Sequence, residues 1–163
     1  MKKLKIILFF ILTISLSSNA QKTAFSKEAL DVTFSTTTQS TASLQDILTK
    51  HKGKKVLIDV WASNDPSFIS AIPQIAQLQT ENPNVDYVYI CNGKLIENWK
   101  TSIDKTGLKG DHYFLAKESK GVFFREIDLD WLPRFIIINP NGQIILYRGI
   151  ETDIAKIGAI LKA

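Results

Sequence analysis

The sequence predicts an α/β domain, a central mixed β-sheet flanked by helices. Three observations lead there. Apolar runs of strand length alternate with segments of helical periodicity, the order in which helices come to cover a sheet. Asp65-Pro66, a strong helix start, follows one such run almost at once. Further on, Pro140-Asn141-Gly142 separates two short apolar runs, which marks an antiparallel hairpin and makes the sheet mixed.

The chain has 163 residues and opens with Lys2, Lys3 and Lys5 before an apolar run from Ile6 to Leu16. Ser18 and Ala20 then stand at −3 and −1 to Gln21. This is the pattern of a secretory signal peptide over 1–20, and the run is too short for the roughly 20 apolar residues of a membrane span. The expected product is exported, periplasmic or extracellular, and cleaved after Ala20.

Residues 21–42 read as a polar leader rich in Thr and Ser, with one alternating patch, Leu30 to Phe34, as an expected edge strand. Ser43 and Asp46 form a capping pair for a helix through Lys52, which Gly53 ends. Lys55 to Trp61 is a buried strand interrupted only by Asp59. From Pro66, the residues Phe68, Ile72, Ile75 and Ala76 mark a helix to Glu81 that contains Pro73.

Val85 to Cys91 is the next strand; Leu95, Trp99 and Ile103 then fall four apart on a helix that Gly107 closes. Tyr113 to Ala116 is a short strand, and Lys117 to Asp130 has only weak patterning. The hairpin joins Arg134–Asn139 to Gln143–Arg148, and Thr152 caps a last helix with Ile154, Ile157 and Leu161 inward. There is no internal repeat, and the length and apolar content after residue 20 suit a single core, with 43–163 as the domain.

Charge excludes some partners. The chain has 20 basic and 16 acidic residues. Three of the basic residues and none of the acidic ones lie in 1–20, which leaves 17 against 16. A balance so close to neutral points to neither nucleic acid nor an anionic membrane surface. Cys91 is the only cysteine, so no intramolecular disulfide can form even in an oxidising compartment.

Three segments, in order, carry a resemblance. They are Val56-Leu57-Ile58-Asp59-Val60-Trp61-Ala62-Ser63 with Pro73, Gly107-Leu108-Lys109-Gly110-Asp111-His112-Tyr113, and Leu132-Pro133-Arg134-Phe135-Ile136 leading to Asn141-Gly142. Over 43–163 the chain resembles the thioredoxin superfamily, and within it the TlpA-like branch of exported proteins. The resemblance implies a thioredoxin-like fold. Members read W-A-S-W-C-x-x-C with a proline five positions beyond the second cysteine, and Trp61 to Pro73 has that length without a gap. The two cysteine positions therefore fall on Asp65 and Phe68, neither of which can act as a thiolate nucleophile or resolve a mixed disulfide.

The other site positions follow by the same resemblance. Asp59 matches the buried aspartate that assists the family's first cysteine; the alternative is a strand carboxylate with local partners. Pro133 matches the family's cis-proline beside the active-site helix, which implies a cis Leu132–Pro133 bond; a rigid turn before a strand is compatible with the same bond. Asp65 is either a simple N-cap or a fixed anion at the edge of a peptide groove. Cys91 is either a small core residue or a reactive single thiol, for which Lys94 is the nearest cation in sequence.

Trp61 and Trp99 read as packing residues, whereas Trp131 either packs or lines a groove. Ser63 and Ser70 have no base to complete a nucleophilic triad. His51 and His112 are too few and too dispersed for a metal site. No metal and no cofactor are expected.

Three functions remain open. The leading one is a redox-inactive binding or accessory protein of the bacterial envelope, with Asp65, Phe68, Trp131, Leu132 and Pro133 as binding residues and an envelope protein or extended peptide as partner. The alternative is a thiol oxidoreductase or peroxidase acting through Cys91. The third is a diverged subunit retained for structure or assembly without a useful peptide groove, which should then be filled by its own leader.

Overall fold

The computed structural model describes residues 21–115 and 117–163. The expected signal peptide, 1–20, lies outside the described residues.

A short helix α1 (Lys27–Leu30) and strands β1 (Thr33–Thr36) and β2 (Thr41–Ser43) come first. They are followed by α2 (Leu44–Lys50), β3 (Val56–Trp61), α3 (Pro66–Glu81), β4 (Asp86–Cys91), α4 (Ile96–Thr106) and β5 (Asp111–Leu115). The chain ends with α5 (Lys120–Glu126), β6 (Arg134–Ile138), β7 (Ile144–Gly149) and α6 (Ile154–Lys162). The seven strands form one sheet in the order β2-β1-β5-β4-β3-β6-β7. The β3–β4 and β4–β5 pairs are parallel and the other four are antiparallel.

Strand residues alternate between faces, and β3 shows what that does. Val56, Ile58 and Val60 join a core with Ala29, Leu44, Ile47, Phe123 and Ile127, on the side of α1, α2 and α5. Leu57 and Trp61 join a second core with Phe68, Ile75, Trp99, Ile157 and Leu161, on the side of α3, α4 and α6. Asp59 shares the parity of Leu57 and Trp61, so its carboxyl lies on the α3 side of the sheet.

Several expectations need correction. Leu30 ends a helical turn instead of starting a strand, because Ser26 caps that turn through the Ala29 amide at 3.2 Å. The strand begins at Thr33 and sits between β2 and β5, so β2 and not β1 is the edge. Residues of 21–42 also enter the core, since Ala29, Val32 and Phe34 are buried. The weakly patterned stretch after residue 116 contains α5, whose Phe123 and following Ile127 are fully buried four residues apart. Its start has no side-chain cap and Gly121 lies in its first turn, so the usual start signals are missing.

Leu95 precedes α4 in an extended conformation and is exposed, while Ile96 packs inward in its place. On α3 the buried face is Phe68, Ala71, Ile75 and Leu78, and Ala76 is exposed. Thr152 does not cap the last helix. A 3-10 turn over Glu151–Asp153 precedes it, and Asp153 accepts from the Ile150 amide at 3.1 Å. Gly107 does close α4, at φ 64°, the left-handed conformation that glycine adopts without strain.

Candidate functional site

Because β3 and β4 are parallel, with Trp61 beside Cys91, their C-terminal ends lie together. The antiparallel β6 starts at the same end, with Arg134 beside Val60. The connections that leave β3 and β4 and the one that enters β6 are therefore gathered at one end of the sheet. The Asp65 helix start, Cys91, Leu95 and the Trp131-Leu132-Pro133 loop all fall there.

Asp65 is extended, and its Oδ1 accepts from the Phe68 amide at 3.0 Å, with Pro66 in the first helical position. It is the N-cap of α3. Phe68 is buried beneath it, stacked on Trp61 with ring centroids 4.5 Å apart. That corrects its expected place in a groove lining: the ring supports the floor and offers no surface to a ligand. Pro133 is buried as well, and the Leu132–Pro133 bond is cis as expected.

Asp65, Pro66 and Ser67 form one wall of an open cleft of about 610 Å³. Phe124 and the loop from Leu129 to Leu132 form the other. Trp131 is 53% exposed, and its Nε1 donates to Glu151 Oε2 at 3.0 Å. No residue of 21–42 lines this cleft, so the filling by the leader that the third reading expects is not found.

Asp59 is fully buried, and neither carboxylate oxygen has a hydrogen-bond partner. Desolvation drives its pKa well above the usual carboxylate range. The local partners that an ordinary strand carboxylate would have are missing.

Cys91 is fully buried and free. Burial pushes its thiol up to about 12, against smaller opposing effects of the Ser63 backbone and Lys120. Lys120, not Lys94, is the cation that Cys91 feels, and its Nζ donates to Gly93 O at 2.8 Å. A Cβ on Gly93 would lie 2.6 Å from the Phe114 ring and 3.4 Å from Cys91 Sγ, which shows how tightly the thiol is covered. A thiol held neutral at pH 7 and shut off from solvent is a poor nucleophile.

Arg134 escaped the sequence reading. It is 1% exposed, and its guanidinium donates to Ile127 O at 3.0 Å, to Asp128 O at 3.1 Å and to Asp130. Arg148 takes the other Asp130 oxygen. The signal was present, since an arginine opening an otherwise apolar strand must find buried acceptors.

The histidines lie away from this cleft. His51 is buried near the opposite end, with Nδ1 2.7 Å from Asp86 and Nε2 3.0 Å from Asp111. Each ring nitrogen meets a different carboxylate, so the three groups do not converge on one point. His112 stacks on Tyr89 at 4.8 Å, and burial lowers its pKa. Among the described residues no group of three or more His, Cys, Asp or Glu is arranged to hold a metal ion, and no helix is long and apolar enough to cross a membrane.

A family model described as thioredoxin-like matches residues 53–144, more than half of the chain. The chain belongs to the thioredoxin-like family. Solved structures with the same fold include the thioredoxin domain of a thiol-disulfide oxidoreductase from Bacteroides vulgatus, at 18% identity and a TM-score of 0.68, covering 85% of this chain and 98% of that one. A thiol:disulfide interchange protein from Bacteroides sp. aligns at 17% identity and a TM-score of 0.67, over 87% and 91% of the two chains. A secreted Mycobacterium tuberculosis disulfide oxidoreductase aligns at 17% identity and a TM-score of 0.62, over 83% and 99%. No curated protein sequence matches this one. The thioredoxin-like fold expected from the sequence is therefore present, in a chain whose only cysteine is buried in the sheet.

Proposed function

We propose that this thioredoxin-like chain is an exported binding or accessory protein of the bacterial envelope that has lost dithiol exchange and kept a recognition cleft. The observation that supports it best is the contrast at one end of the sheet. Asp65 and Phe68 stand where the resemblance puts thiols, while the cleft beside them stays open and bears an exposed tryptophan. The three large apolar residues exposed in the described chain are Ile69, Leu95 and Trp131. All three belong to that end: the first turn of α3, the connection after β4 and the loop before β6. Of the three, Trp131 lies on the cleft wall itself, and exposed apolar surface concentrated at one end of a fold is what a docking surface requires.

Export rests on the signal-peptide pattern over 1–20, and an extended peptide or envelope protein is the partner that an open cleft of this kind suits. A reaction through Cys91 is disfavoured by its burial and by a thiol pKa pushed up to about 12.

The test is a photo-crosslinking residue placed at Ser67, on the cleft wall, and at Lys54, near the opposite end, in protein expressed with residues 1–20. Discrete adducts from position 67 that are absent from position 54 and lost on Trp131→Ala are expected. Equal adducts from both positions, or none from 67, would remove the cleft as a recognition site.

A further inference from the structure

The loop wall of the cleft is anchored from beneath by a chain of polar contacts that leads away from the cleft to the first residues of the polar leader. Asp128, immediately before that loop, has φ 44°, a left-handed conformation that Asp adopts more readily than most residues and that turns the chain from α5 into the loop. Arg134 holds its carbonyl, and the Tyr147 hydroxyl lies 3.1 Å from its carboxylate. The same hydroxyl donates to Glu126 O at 2.5 Å. Glu126, 9% exposed at the end of α5, is where the loop starts.

The Glu126 carboxylate in turn gathers donors from one short stretch of chain. Oε1 accepts from the Ser26 amide at 2.8 Å and pairs with Lys22 Nζ at 2.8 Å, and Oε2 accepts from Ser26 Oγ at 2.8 Å. Lys22 Nζ also donates to the Glu126 carbonyl at 2.8 Å, the oxygen that Tyr147 shares. Thr23 O accepts from the Ile144 amide at 2.9 Å, which lays the segment along β7. Burial raises the Glu126 pKa, but the Lys22 and Ser26 donors outweigh it and hold the carboxyl below its usual range. Charge-assisted bonds converging on one buried carboxylate are stronger than the exposed pairs elsewhere on the surface.

We propose that Glu126 and the Lys22–Ser26 segment it clasps are positioning residues of the cleft, setting its Trp131 wall through Tyr147, Asp128 and Arg134. The proposal rests on the reading of that cleft as the recognition site, yet it makes a claim about the loop that needs no ligand. None of residues 22–26 lines the cleft, so their effect on it is transmitted.

The experiment uses the chain from Gln21 onward and the double variant Lys22→Ala/Ser26→Ala. Hydrogen exchange of residues 127–132 and acrylamide quenching of tryptophan emission are measured. Trp61 and Trp99 are at most 1% exposed, so quenching reports Trp131. Exchange at 127–132 is expected to rise about tenfold or more, as for a local opening, with a changed quenching constant and no change in β3 and β4. Lys22→Arg/Ser26→Thr, which keeps the donors, should restore both signals. Lys162→Ala, which removes an exposed pair with Glu81, should leave both unmoved.

Unchanged exchange at 127–132 in the double variant would overturn the proposal. A uniform rise over the whole sheet would overturn it too, because the segment would then only stabilise the domain. If the double variant does not fold, Ser26→Ala alone is read by the same two outcomes. A loosened loop together with an absence of cleft crosslinks would sink the recognition reading and leave the positioning intact.

Discussion

Phe68 stacks on Trp61, with ring centroids 4.5 Å apart and 25° between the planes. The ring stands where the resemblance places the resolving cysteine, so that position has become part of the core between the sheet and α3. Aromatic pairs of this kind add to the burial of their area. Phe68→Ala is therefore expected to cost about 3–5 kcal/mol, the usual loss for a fully buried ring, as measured by urea denaturation. A cost below about 1 kcal/mol would mean that the ring is not packed as described.

Asp59 has the opposite energetics. Its pKa is raised by burial with no compensating partner, so a proton taken up on folding must be lost again, at a cost, as the pH rises. The stability tied to its neutral form is complete below the unfolded value of about 4 and is lost as pH climbs toward the folded value. Asp59→Asn keeps the shape and removes the ionisation. It is expected to raise stability relative to the parent protein more at pH 8 than at pH 4, measured by thermal unfolding at the two pH values. A gain independent of pH would contradict this account of Asp59.

Cys91 should behave as a core atom. In native protein at pH 8, iodoacetamide is expected to leave it unmodified over a period that labels it completely in denaturant, because burial pushes the thiol up to about 12. Mass measurement decides it. Rapid labelling of the native protein would return Cys91 to the list of reactive groups.

Much of this was legible in the residues, and the gaps have physical causes. The Asp65-Pro66 helix start, the Asp59 strand and the Asn141-Gly142 hairpin each carry a local signal, in a cap, an apolar run or a turn, and all appear where expected. The α5 helix has no cap and starts at Lys120-Gly121, so its only trace is the Phe123–Ile127 spacing. The burial of Phe68 and the clasp of Glu126 on Lys22 and Ser26 depend on contacts across the fold, the latter spanning about a hundred positions. No local pattern records such a contact.

The retained geometry can be tested by restoring what is missing. Asp65 Oδ1 and the Phe68 amide already meet at 3.0 Å, and the helix start would favour a thiolate placed at position 65. Asp65→Cys/Phe68→Cys on a Cys91→Ser background should form a disulfide under mild oxidation, with a loss of stability from the missing ring that must first be shown to leave the protein folded. Two free thiols persisting in the folded variant would refute the assigned register.

The central claim, that the chain has kept the fold and lost the exchange chemistry, is tested most directly by turnover. The chain from Gln21 onward, free of other oxidoreductases, is assayed for reduction of insulin disulfides with dithiothreitol as the electron source, beside its Cys91→Ser variant. The account predicts that both proceed at the rate of dithiothreitol alone. Sustained turnover above that rate, abolished by Cys91→Ser, would contradict it.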